Sequence, residues 1–86
     1  MWRIQRSANG GFVVFAVSGR IEADQVAELR KLLEAEHQPL VLDLREIELV
    51  GQDAVQFLAR CEADGVKLQN CPTYVRAWID QGGHRS

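Results

Sequence analysis

The stretch Leu40–Ala63, LVLDLREIELVGQDAVQFLARCEA, changes periodicity once along its length, and that change restricts the folds open to the chain more than any other feature. Val41, Leu42 and Leu44 form a short apolar run bounded by Pro39 and by Arg45-Glu46. It is too brief for a helix and β-branched in part, which predicts an interior strand covered on both faces. After a loop, Ala54, Phe57, Leu58 and Cys61 recur at helical spacing, with Gln56, Arg60, Glu62 and Asp64 on the opposite side. Gly51-Gln52-Asp53 therefore marks a helix start. Such an end presents unpaired N–H groups and a partial positive charge, which suits the carboxylate of Asp53 or an incoming anion.

The flanking segments assemble around this unit. Trp2, Ile4 and Arg6 alternate with Arg3 and Gln5, and Asn9-Gly10-Gly11 supplies the residues of a tight reversal, so the chain opens on a hairpin whose second arm runs from Phe12 to Ser18-Gly19. From Asp24, a plausible cap, Val26, Leu29, Leu32 and Leu33 make a helical stripe. His37-Gln38-Pro39 ends that helix. Asp64-Gly65 closes the central helix, Val66–Gln69 gives a further strand, and Cys71-Pro72 opens a last helix with Pro72 in its first position and Val75, Trp78 and Ile79 facing the sheet. The expected architecture is α/β: a small four-stranded mixed sheet built from an antiparallel N-terminal hairpin and two β-α-β crossovers, with about three helices largely on one face. Helix starts near Asp24, Asp53 and Pro72 gather at one edge.

With 86 residues there is one domain, expected over 1–81, and a loose tail over 82–86. A net charge of -2 without a basic block gives no drive toward nucleic acid or anionic lipid, and no run approaches a membrane span. The opening MWRIQRSANGG lacks the apolar core of a signal peptide, so the expected location is the cytoplasm. Cys61 and Cys71 fall on elements that keep them beyond bridging distance, and free thiols fit a reducing compartment.

Three segments resemble the STAS family, the domains shared by sulphate transporters and antagonists of anti-sigma factors. VSGRIEADQVAELRKLLE resembles the family's strand-Gly-helix opening, LVLDLREIELVGQDAVQFLARCEADGVKL its central strand, loop and helix, and NCPTYVRAWI its Ser-Pro-led last helix. Together they cover nearly the whole chain. In signalling members of the family a serine in the central loop is phosphorylated by a partner kinase that doubles as the anti-sigma factor. Here the corresponding positions read Gly51-Gln52-Asp53-Ala54, so the resemblance implies docking to a partner without phosphorylation at Gln52. Asp53 supplies a fixed negative charge in its place. Many STAS domains also continue past the helix that holds Trp78. The shorter chain is expected to leave sheet edge or helix layer exposed, for a homodimer or a host complex to cover.

The candidate partner-binding residues are Gly51, Gln52, Asp53 and Ala54 at the helix start, with Asp43 and Cys71. For the first group the plainer alternative is ordinary capping. Asp43, near the carboxyl end of the central strand, is either a carboxylate satisfied by nearby backbone or an acid at the sheet edge where ligands of open α/β folds bind. Cys71 at a helix cap could carry a lowered pKa, but neither His37 nor His84 is placed to act as its base, and Cys61, Cys71, His37 and His84 lack metal-ligand spacing. No cofactor is expected. The sequence thus predicts a non-catalytic regulatory module that binds another protein, such as an anti-sigma-type kinase. The alternative is a small structural subunit of a membrane transporter's ATPase assembly, and a thiol-dependent enzyme acting through Cys71 ranks third.

Overall fold

Gly10 and Gly11 take φ of 60° and 94°, values that cost a glycine little, and they alone join β1 (Trp2–Asn9) to β2 (Phe12–Ile21). The computed structural model describes residues 2–82. From β2 the chain passes through α1 (Ala23–Glu34) to β3 (Leu40–Val50), then α2 (Gln52–Ala63), β4 (Lys67–Gln69) and α3 (Thr73–Gly82). The sheet has four strands in the order β1-β2-β3-β4, with β1 antiparallel to β2 and the remaining pairs parallel. Fold class and element order match the sequence reading.

Both central strands are longer than expected. β3 does not end at Leu44 but continues to Val50, and β2 continues past Ser18-Gly19 to Ile21. The reason lies in the register. Between Ala16 and Ser18, β3 advances from Asp43 to Glu46, and between Gly19 and Arg20 it advances from Ile47 to Leu49, so each step inserts one extra residue into β3. Its core-facing residues Leu42, Leu44, Ile47 and Val50 are consequently two, three and three apart, which no longer reads as alternation. Gly19 absorbs the distortion on β2 with φ of 92°. The expected loop before α2 contracts to Gly51.

A single core cluster joins Val13, Phe15, Val17 and Ile21 of β2 and the four β3 residues above to side chains from all three helices. Phe15, Leu29, Leu42, Leu44 and Leu58 are fully buried within it. Val41 is buried but lies outside this cluster, paired in register with Val14. Side chains alternate across a strand, so Val14, Ala16 and Val41 project on the face the helices leave open. This corrects the expectation that β3 is covered on both faces.

The helix ends differ in detail from expectation. Glu22, not Asp24, caps α1, and its backbone N–H donates to Gln25 Oε1 at 3.0 Å. Leu32 falls at the margin of the stripe and is exposed, leaving Val26, Leu29 and Leu33 to pack. At the end of α2, Val66 N–H reaches the Cys61 carbonyl at 2.9 Å and Gly65 N–H the Glu62 carbonyl at 3.1 Å, with Gly65 at φ of 101° as a glycine closure requires. The Pro72 carbonyl accepts from Arg76 N–H at 2.9 Å, so Pro72 precedes α3 instead of occupying its first position. Val75 and Ile79 bury, whereas Trp78, expected against the sheet, is 48% exposed. Gly82, assigned to the tail, belongs to α3, and 83–86 lie outside the described residues.

Candidate recognition site

The tip of α2 is fixed from both sides. Gly51 N–H donates to the Ile21 carbonyl at 2.8 Å, which ties the end of β3 to the end of β2, and the Gly51 carbonyl accepts from Val55 N–H at 3.0 Å to start the helix. Having no side chain, Gly51 leaves the first-turn N–H groups without a side-chain cap. Gln52 and Asp53 are exposed there, while Ala54 and Val55 are buried. Asp53 carries negative charge in the first turn, at the positive pole of the helix.

The start of α1 stands alongside. Arg20, Glu22 and Leu49 border the same surface hollow as Gly51, Gln52 and Asp53. Arg20 Nε lies 3.9 Å from Glu22 Oε2, an open surface contact with little holding power. The hollow therefore mixes one exposed apolar side chain, Leu49 at 42%, with an amide, two carboxylates and a guanidinium. Such a surface can dock another polar chain, and no nucleophile with a neighbouring base stands among these residues.

Gly51, Gln52 and Asp53 border this hollow, and the other three candidates, Ala54, Asp43 and Cys71, do not line it. Ala54 is fully buried in the core and cannot face a partner. Asp43 lies midway along β3, because the strand runs on to Val50, and is not at its carboxyl end. One oxygen of its carboxylate accepts from Arg45 N–H and from Asn70 Nδ2, each at 3.1 Å, which fits the plainer reading of that acid. Asn70, with φ of 56°, is the residue before Cys71. Cys71 is partly buried, and burial pushes its thiol pKa up against the opposing pull of Arg76. The lowered pKa expected of a helix-start thiol is absent. Cys61 is buried and pushed up to about 11, chiefly by desolvation, and both thiols are free.

Beside the tip stands an aromatic pair that the sequence reading did not join. The Tyr74 hydroxyl donates to the Glu48 carbonyl at 3.2 Å, and the Tyr74 and Trp78 rings meet edge to face with centroids 6.4 Å apart. Both rings remain substantially exposed. Helical spacing alone placed Trp78 inward; its closeness to Tyr74 at i, i+4 was the signal that the two form a surface pair. The Glu22-x-x-Gln25 spacing was likewise a legible capping signature.

No family model and no curated protein matches the chain. Among solved structures, one described as a crystal structure analysis of Mglu superposes with a TM-score of 0.65 at 19% identity, covering 80% of this chain and 19% of that one. The chain therefore shares a fold with a segment of a much longer protein, spanning about a fifth of its length.

Proposed function

We propose that the chain is a non-catalytic recognition module, similar to STAS anti-sigma factor antagonists, that binds a partner protein through the exposed tip of α2. The observation that carries this reading is the pairing of solvent-facing Gln52 and Asp53 with the buried Ala54 and Val55 one turn-step behind them. The polar pair is mounted on the core, and among the described residues neither side chain makes a hydrogen bond or ion pair. Neither Gln52 nor Asp53 carries the hydroxyl that a serine kinase phosphorylates, so the surface is constitutive and not switched by that modification. The elevated Cys71 thiol supports a reading without chemistry of its own. No described helix is long and apolar enough to cross a membrane, and we place the module in the cytoplasm.

A second reading is favoured by the exposed Tyr74–Trp78 pair, since aromatic side chains are enriched at the centres of stable interfaces. In that reading the domain is a structural subunit held permanently in a larger assembly, such as a transporter ATPase. Affinity purification of the tagged chain, followed by the Gln52→Arg/Asp53→Arg and Trp78→Ala variants, separates the two. Loss of the partner through the tip variant alone supports the first, loss through Trp78→Ala alone supports the second, and a partner retained by both variants overturns both surfaces.

A further inference from the structure

α1 and α2 each follow one of two parallel strands, so they run in the same sense, and a groove lies between them along most of their length. Val26 and Asp53 border its upper part, Leu33, Glu34 and Asp64 its lower part, and Arg30, Phe57 and Arg60 belong to both. The floor is apolar, because Val26, Leu33 and Phe57 are buried side chains whose edges form it. Two arginines, Arg30 and Arg60, line both parts of the groove. The Arg30 guanidinium carbon sits 5.8 Å from the Phe57 ring centroid, near enough for cation–π attraction.

Neither arginine has a carboxylate in ion-pair reach among the described residues. Glu34 follows Arg30 and Asp64 follows Arg60 by four positions, the less favourable order for a helical ion pair, and no ion pair forms in either case. The centre of the groove is thus cationic above an apolar floor, and acids stand only toward its ends.

We propose that this groove receives an amphipathic helix of a partner protein with acidic side chains at the centre of its apolar face. The 12-residue helices give a groove about 18 Å long, which accommodates roughly three helical turns. It is open along its whole length, whereas a small-molecule site encloses most of its ligand. Arginine and aromatic side chains together are the residue types that dominate binding at such centres. The charge pattern selects the occupant: central glutamates meet Arg30 and Arg60, and the apolar stripe covers Phe57. The proposal rests on the recognition reading only in taking the occupant to be protein.

A defined probe tests it: an end-blocked helical peptide of about 14 residues, built on Leu, Ala, Lys and Gln with two glutamates in the middle turn, titrated into the isotope-labelled full chain. Resonances of Arg30, Phe57 and Arg60 should shift, and Arg30→Glu/Arg60→Glu should weaken binding at least about tenfold. That variant should in turn bind a peptide with lysines in place of the glutamates. Absence of shifts at these residues with millimolar peptide, equal binding of both peptides, or failure of the swapped pair overturns the proposal. Oleate micelles binding the groove more tightly than the peptide also overturn it, in favour of an anionic lipid. Gln52→Arg, at a tip residue that does not line the groove, should leave the titration unchanged, so a partner retained by that variant beside an intact titration counts against the tip alone, and a partner lost by it without peptide shifts at Arg30, Phe57 and Arg60 counts against the groove alone.

Discussion

Gly51 and Ile21, thirty positions apart in the chain, are joined by one backbone hydrogen bond of 2.8 Å that aligns the starts of α1 and α2 at the same end of the sheet. The recognition surface depends on that alignment, because Glu22 follows Ile21 directly and Gln52 follows Gly51. A β-carbon on Gly51 would stand 3.5 Å from the Ile21 carbonyl oxygen, an ordinary contact, and Gly51 has φ of -75°. Gly51→Ser should therefore fold and, by offering a hydroxyl cap to α2, match or exceed the wild-type melting temperature. A clear fall in melting temperature would show that the glycine is needed for more than the absence of a cap.

Charge reversal at the tip should separate binding from folding. Gln52 and Asp53 are exposed, so Gln52→Arg should leave stability within about 0.5 kcal/mol, and Asp53→Arg should cost about 0.3–1 kcal/mol by opposing the helix dipole. Both should abolish recovery of a tip-bound partner in affinity purification. Denaturant titration beside the pull-down checks that the loss is not unfolding.

Incubation with an anti-sigma-type kinase and ATP should leave residues 50–55 unmodified, because none of them carries a hydroxyl. Tandem mass spectrometry of the tryptic peptide reads this directly. A chain with Gln52→Ser, which restores a hydroxyl at an exposed first-turn position, is the matching gain-of-function variant.

Both thiols should react slowly with iodoacetamide at pH 7.5, with Cys61 slower than Cys71. Burial raises both pKa values, so the thiolate fraction is small at neutral pH, and Cys61 ionises only near pH 11. The folded Cys61 holds its proton above the ordinary thiol range. Its contribution to stability is thus intact below about pH 9 and is lost as pH rises toward 11. Cys61→Ala should flatten the alkaline limb of the stability profile, read as melting temperature against pH.

Arg76 ties α3 to α2 through two contacts with Glu62, at 2.8 and 2.6 Å, and also reaches Asp80 at 3.1 Å. The hydrogen bonds from Arg76 hold the Glu62 carboxyl below its ordinary range. That contribution is present above the unfolded carboxylate pKa of about 4.3 and disappears as pH falls through the lower folded value. Since both side chains are largely solvated, Arg76→Met should cost only about 0.5–1 kcal/mol at pH 7 and almost nothing at pH 2.

Gly19→Ala should destabilise by about 1 kcal/mol or more, because φ of 92° is unfavourable for any residue with a β-carbon. Chemical denaturation gives the number. An unchanged midpoint would mean that β2 can straighten at the bulge without loss.

The elements that rest on uninterrupted periodicity were legible in the sequence: the Asn9-Gly10-Gly11 reversal, the α2 face of Ala54, Phe57, Leu58 and Cys61, and the Asp64-Gly65 closure. The second half of β3 was not. Its two inserted residues move Ile47 and Val50 to a spacing of three, which imitates neither strand nor helix, and the charged Arg45-Glu46 pair then reads as a loop. The site was legible to the extent that it lies in one short segment. Gln52 and Asp53 follow from the helix start, but Ala54, read both as part of the apolar face and as a partner-binding residue, belongs to the core alone, because a first turn contains both solvent-facing and core-facing positions. Asp43 was misplaced by the same hidden bulges. The Arg30–Phe57–Arg60 grouping joins two helices separated in sequence, and no local pattern reports such a meeting.

The burial of Ala54 and Val55 immediately after Asp53 also bears on kinetics. A tip bolted to the hydrophobic interior has few conformations to surrender when another molecule arrives, so the entropic toll of ordering a floppy segment does not arise there. Association would be paced by diffusional encounter and orientation, and the lifetime of the complex would be set by how well the other molecule fits an unyielding shape.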